Sequence, residues 1–154
     1  MKRVEKDLIF MRAELAKLVD ESAEPKPTVY FDGSCPLCTA EISHYASRPG
    51  GDDLTFVDVS AANAELGPDL SAQDAMSRFH VRLADGRLLS GARAFVVIWQ
   101  TLPSWRWMAY IARIPGVIPL LEVAYRVFLP IRPALSRAAS RLGARASNTS
   151  EAEK

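Results

Sequence analysis

The chain has 154 residues, enough for one domain with a real core, and its 49% hydrophobic and 24% charged residues suit a globular protein, not a disordered or fibrous one. A net charge of +1 gives no bulk reason to expect nucleic acid or a membrane surface as a partner. No stretch reads as a membrane span: Ala94–Trp105 is short and holds Pro103, and Ile114–Leu121 holds Pro115 and Pro119.

The opening MKRVEKDLIFMRAEL interleaves acids with apolar residues and lacks the unbroken apolar run of a signal peptide. The expected compartment is therefore the reducing cytoplasm, where a close cysteine pair does catalysis, regulation or metal binding more often than permanent bridging. Val4, Leu8, Met11, Leu15 and Leu18 fall on one stripe and predict an amphipathic helix over 3–21. Such a stripe packs on its own domain or on a second copy, which leaves a homodimer open. SAEPKP (22–27) ends it, its two prolines forcing an extended linker. We divide the chain into that helix and linker (1–27), a main domain (28–143) and a tail (144–154).

TVYFD (28–32) is a β-rich run closed by Gly33-Ser34 and predicts a short buried strand. Ser34 is placed to cap the next helix and Pro36 to sit in its first turn, with the helix running from about 36 to 47. Both cysteines of the chain, Cys35 and Cys38, lie at this junction. Three residues apart at a helix start, they can close a small disulfide ring, and the helix N-terminus favours a thiolate on Cys35. The expected chemistry is attack by an outward Cys35 and resolution by a deeper Cys38. Asp32 has two open readings: it takes a proton from Cys38, or it holds the loop through backbone N–H groups. Gly33 is expected to supply a backbone geometry.

Other chemistries fit less well. A CxxC is half of a tetrahedral zinc site, and no second cysteine pair exists to complete it. His44 and His80 read as ordinary polar or core residues. YFDGS is similar to the strand start of haloacid-dehalogenase phosphatases, but Ser34 stands where that motif needs a second Asp.

LTFVDV (54–59) predicts a second strand, and 60–77 a variable stretch with one or two short helices. FHVRLADGRLLSG alternates about Asp85-Gly86 and predicts a hairpin. From Ala92 the pattern is helical again: ARAFVVIWQTL, SWRWMAYIARI, GVIPLLEVAYRVFL, and a separate PALSRAASRLG. The aromatics Trp99, Trp105, Trp107 and Tyr110 read as core, although Trp105 and Trp107 cannot both point inward from one helix. Arg126, Arg132, Arg137, Arg141 and Arg145 fall where no acid stands between Val123 and Ser150, and read as a solvated basic helix end and tail. The order βαβ then ββα predicts an α/β fold with the thioredoxin-like core and a mixed sheet, with an extra N-terminal helix and further C-terminal helices.

VYFDGSCPLC, FHVRLADGRLLSGARAF and IPGVIPLLEVAYRVF together resemble the DCC family of thiol–disulfide oxidoreductases, over about residues 28–130. The resemblance implies a D-G-x-C-x-x-C site made of Asp32, Cys35 and Cys38 on a thioredoxin-like fold. The leading reading is an enzyme that needs no metal or organic cofactor and takes electrons from a partner dithiol or small thiol; its expected substrate is a protein or low-molecular-weight disulfide. Many thioredoxin-like enzymes place a cis-proline before the third strand. QDAMSRF has none, and Met76 or Ser77 takes that place. A second reading, from another class, is a redox-sensitive interaction module. It would dock on a membrane or membrane protein through its apolar, arginine-rich C-terminal helices.

Overall fold

A computed structural model describes residues 25–141. Four strands, β1 (Thr28–Phe31), β2 (Thr55–Asp58), β3 (His80–Arg82) and β4 (Leu88–Ser90), form one sheet in the order β2-β1-β3-β4. β1 and β2 run parallel, joined through α1 (Pro36–Ala46), while β1–β3 and β3–β4 are antiparallel. A helix between two parallel neighbours is the crossover that parallel pairing requires. The predicted thioredoxin-like arrangement is the one observed. The predicted helix over 3–21, and with it the homodimer seam, lies outside the described residues, as does the tail beyond 141.

β1 is the central strand, and both its faces are covered. Val29 points into a cluster with Ile42, Tyr45, Val81, Ile98 and Leu102, on the side of α1 and α3 (Ala92–Thr101). Tyr30 points the other way, to Val59, Leu70 and Ala75 under α2 (Ala72–Ser77). Burial on both faces explains why TVYF carries no charge and hardly alternates. The hairpin closes as predicted: Leu83 N–H donates to the Arg87 carbonyl at 2.9 Å, and Gly86 takes a φ of +88° that favours glycine.

Past α3 the chain differs from the expectation. A 3-10 turn (Pro103–Trp105) and a short α4 (Arg106–Ile111) replace one longer helix, and the two expected C-terminal helices are a single α5 (Val117–Arg141). Pro119 sits in the first turn, where a missing N–H costs little. Pro130 and Pro133 lie inside the helix and each removes a backbone bond. Contacts on both sides of these prolines hold the helix to one course. On the N-terminal side Glu122 pairs with Arg78 and accepts from the Ala92 N–H at 3.1 Å, while the Tyr125 hydroxyl accepts from the Phe79 N–H at 2.8 Å. Beyond them Arg132 pairs with Asp32.

The two sequence blocks far from the cysteines thus meet in space. Gly91, with φ +61° and ψ −138°, opens the GARAF block, and a Cβ there would lie 2.4 Å from a Glu122 carboxylate oxygen. Phe95 stacks on Phe79 at 4.5 Å between centroids and meets the Tyr125 ring edge-on at 5.9 Å.

The aromatic run divides. Trp99 is buried and Trp105 packs against the core cluster, but Trp107 and Tyr110 are 59% and 63% exposed, which corrects the expectation of core for both. α4 is too short to turn more than one side inward, and Ala109 takes it. Leu120, Val123, Val127, Ile131 and Leu135 are also exposed along the outer side of α5. No helix among the described residues is long and apolar enough to cross a membrane.

Candidate active site

The dithiol stands where β1 ends and α1 begins, at the C-terminal edge of the central strand. Its N-cap is Cys35 itself and not Ser34: Cys35 Sγ accepts from the Cys38 N–H at 3.4 Å. Ser34 is drawn elsewhere, donating through N–H and Oγ to Asp32 Oδ1 at 3.0 and 2.5 Å. A sulfur as cap puts Cys35 Sγ among the unpaired N–H groups of the first turn, where negative charge is favoured. The Cys38 thiol donates to Cys35 Sγ at 2.8 Å, so both sulfurs already share one contact.

Burial alone would push the Cys35 thiol up. The bonds from the Cys38 thiol and N–H, joined by those to Ser136 and Arg132, outweigh it, and Cys35 lies below the ordinary thiol value. Cys38 moves the other way. Burial and the proton it holds toward Cys35 raise it far above that value, against the pull of Arg132. The neighbouring sulfurs are therefore tuned in opposite directions, Cys35 toward the thiolate and Cys38 toward the thiol.

One expectation about exposure is corrected. Cys35 is only 5% exposed, and Cys38 is the less covered residue of the two. Leu129, Arg132, Pro133 and Ser136 of α5 stand around the same cavity as Cys35, and Ser136 and Arg132 bond to its sulfur. Cys35 still lines an open cavity of about 450 Å³, and Met76 and Ser77, which take the place of a cis-proline in the sequence, line it too. Cys38 lines a different, much smaller cavity on the inner side.

Asp32 is fully engaged. Oδ1 holds Ser34, as the loop-holding reading expects, and Oδ2 pairs with the Arg132 guanidinium. Gly33 has no left-handed φ; it is needed for space, since a Cβ there would fall 1.9 Å from an Asp58 carboxylate oxygen. Asp58 Oδ1 accepts from the Gly33 N–H at 2.9 Å, so the end of β2 fixes the turn that carries the cysteines.

Sequence reading missed Arg132, Asp58, Ser136 and Glu41. Arg132 stands in a run of arginines with no acid between Val123 and Ser150. Arg126 pairs with Glu122 one turn back on its own helix, whereas Arg132 turns inward to meet Asp32 at the end of β1. Its flanking prolines, Pro130 and Pro133, were the available signal that this turn of helix differs from the rest. Glu41 lies one turn beyond Cys38 on α1, accepts from the Tyr45 hydroxyl at 2.9 Å, and is raised by burial against that bond. His80 is buried and donates through Nδ1–H to the Arg78 carbonyl oxygen at 2.9 Å, and His44 is exposed beside Trp105. Among the described residues no group of three His, Cys, Asp or Glu side chains could hold a metal ion.

Compared with protein families, residues 29–138 match the model of the DCC1-like thiol-disulfide oxidoreductases. The chain belongs to that family. The match includes the cysteine turn, the GARAF block and most of α5, so the DCC1-like unit takes in the helix that delivers Arg132. A chloroplastic protein of Arabidopsis thaliana, itself described as uncharacterized, is 27% identical over 117 residues. That alignment takes in 71% of this chain and 54% of the relative, so the DCC1-like chain spans about half the length of the curated relative it matches. No solved structure matches.

Proposed function

We propose that the protein is a thiol–disulfide oxidoreductase in which Cys35 attacks and Cys38 resolves. The observation that carries this reading is the opposed tuning of two sulfurs in contact: Cys35 lowered and Cys38 raised across a 2.8 Å hydrogen bond. A thiolate is the nucleophile of disulfide exchange, and a neighbour still protonated does not compete with it for substrate. Cys35 Sγ attacks one sulfur of a substrate disulfide, and the other sulfur leaves as a thiolate. Cys38 then attacks Cys35 in the mixed disulfide, forming the Cys35–Cys38 bond and releasing the second substrate thiolate. The substrate gains two electrons and the protein dithiol loses them; a partner dithiol or two small thiols return them.

The open cavity beside Cys35 admits an exposed protein disulfide or a low-molecular-weight one. Asp32 supports the site by holding Ser34 and by setting Arg132 beside Cys35. Chemistry is carried by side chains alone, without metal or organic cofactor, and the reducing cytoplasm is a compartment that supplies the thiols. The interaction-module reading shares the same dithiol, and the family match favours the enzymatic one.

Trapping tests the division of roles. Incubated with oxidised glutathione, Cys38→Ser should accumulate a glutathione adduct on Cys35 by intact mass, and Cys35→Ser should accumulate far less on Cys38. Equal adduct formation on both variants would refute the assignment.

A further inference from the structure

Resolution requires Cys38 to lose its proton, and the thiol is held in the form least willing to do so. Asp32, the carboxylate nearest in sequence, is occupied on both oxygens by Ser34 and Arg132. The small inner cavity offers another acceptor. It measures about 30 Å³; much of its wall is apolar, with Phe79, Phe95 and Phe128, but Cys38, Glu41, Arg78 and Arg132 also line it. That volume holds one water, and these polar groups are the partners that would bind it. Arg78 adds a buried Nε without a hydrogen-bond partner, the kind of group such a water satisfies. Cys38 and Glu41 are three residues apart on α1, so their side chains leave the same face about 5–6 Å apart at Cβ, within reach of one bridging water.

We propose that Glu41 is the proton acceptor for Cys38 in the resolving step, through a single water in this cavity. The inference rests on the oxidoreductase reading above. In the mixed disulfide the Cys38 thiol passes its proton through the water to the Glu41 carboxylate. Cys38 Sγ attacks Cys35 Sγ, the Cys35–Cys38 bond forms, and the bond from Cys35 to the substrate sulfur breaks. That sulfur leaves with the bonding pair as a thiolate, and Glu41 later returns its proton to solvent. Burial raises Glu41 above the ordinary carboxylate range, which brings its basicity closer to the task, and the Tyr45 hydroxyl opposes that rise. The charges facing it are otherwise balanced, since Arg132 is paired with Asp32 and Arg78 with Glu122.

Stopped-flow mixing of the reduced full chain with an aromatic nitrobenzoate disulfide, whose released thiolate is coloured, separates the two steps. The first release is bimolecular and belongs to Cys35; the second is independent of reagent concentration and belongs to Cys38. Glu41→Gln should leave the first rate within about twofold and slow the second about a hundredfold, the lower end for a positioned general base. In the unaltered protein the second rate should rise with pH through the titration of Glu41 and then level off. In Glu41→Gln it should keep rising with hydroxide. Tyr45→Phe removes the bond that holds Glu41 down, so the levelling should move to higher pH; this near-isosteric variant decides the matter if Glu41→Gln does not fold. A second phase unchanged in rate and pH profile in Glu41→Gln, or an unmoved levelling in Tyr45→Phe, would overturn the role of Glu41 while leaving the dithiol chemistry intact. Absence of any second phase in the unaltered protein would overturn both.

Discussion

Arg132 and Asp32 stand 100 residues apart in the chain and pair across the mouth of the dithiol site. The pair ties the second half of α5 to the end of β1, and it sets the guanidinium beside Cys35. Arg132→Met should therefore raise the Cys35 thiol toward its ordinary value. Alkylation of Cys35 by iodoacetamide at pH 7 should slow severalfold at most, since Arg132 comes after Cys38 and Ser136 among the groups that lower Cys35. The pH–rate profile checks the cause, because its inflection should move up while the plateau at high pH stays.

The Cys38 thiol is the first of the groups that lower Cys35 against burial, and its removal has a separate signature. In Cys38→Ala the Cys35 alkylation inflection should also move up, although the N–H bond of residue 38 remains. An inflection that stays put would mean that the thiol-to-thiol contact contributes nothing to activation.

Gly91 is strained for any other residue and has Glu122 against it. Gly91→Ala should cost about 2–3 kcal/mol, the upper part of the range for a residue forced into a sparsely allowed backbone region. Urea unfolding monitored by tryptophan fluorescence would show this as a lower midpoint with an unchanged slope. Gly86→Ala is the control, since a Cβ there meets nothing within 4 Å and only its φ of +88° is unfavourable.

Glu122 shapes the acid limb of stability. Burial would raise its carboxyl, but the Ala92 N–H and the Arg78 and Arg126 side chains outweigh that and hold it below the ordinary 4.5. A lowered carboxylate contributes stability that is full above the unfolded-state value and lost as pH falls through the folded-state one. Glu122→Gln should be the less stable protein at pH 7, and the gap should close as pH falls below 4.5 toward the folded-state titration. Thermal melts across that window measure it; a gap that is constant with pH would mean that Glu122 acts by shape alone.

Much of this fold is legible in local sequence. TVYF, LTFVDV and the hairpin about Gly86 have strand patterns that the sheet keeps, and Pro36 marks the start of α1. The dithiol is legible for the same reason, since a CxxC at a strand–helix junction is made by residues adjacent in the chain. What sequence hides is whatever depends on α5 crossing back. Pro130 and Pro133 look like a break, and only the anchors at Glu122, Tyr125 and Arg132 show that the helix continues. Arg132 looks solvated because its acid is 100 residues away. Cys35 looks outward because nothing local covers it. Glu41 gives no local sign of its place until Tyr45 and the inner cavity are seen beside it.

The central claim is that Cys35 and Cys38 form one two-electron couple. A redox titration in glutathione buffers, quenched with an alkylating reagent and read by intact mass and peptide mapping, tests it most directly. Both thiols should disappear together in a single two-electron transition, in a monomeric species whose peptide map links Cys35 to Cys38. Two cysteines that stay alkylatable at every potential, or that oxidise only between chains, would contradict it.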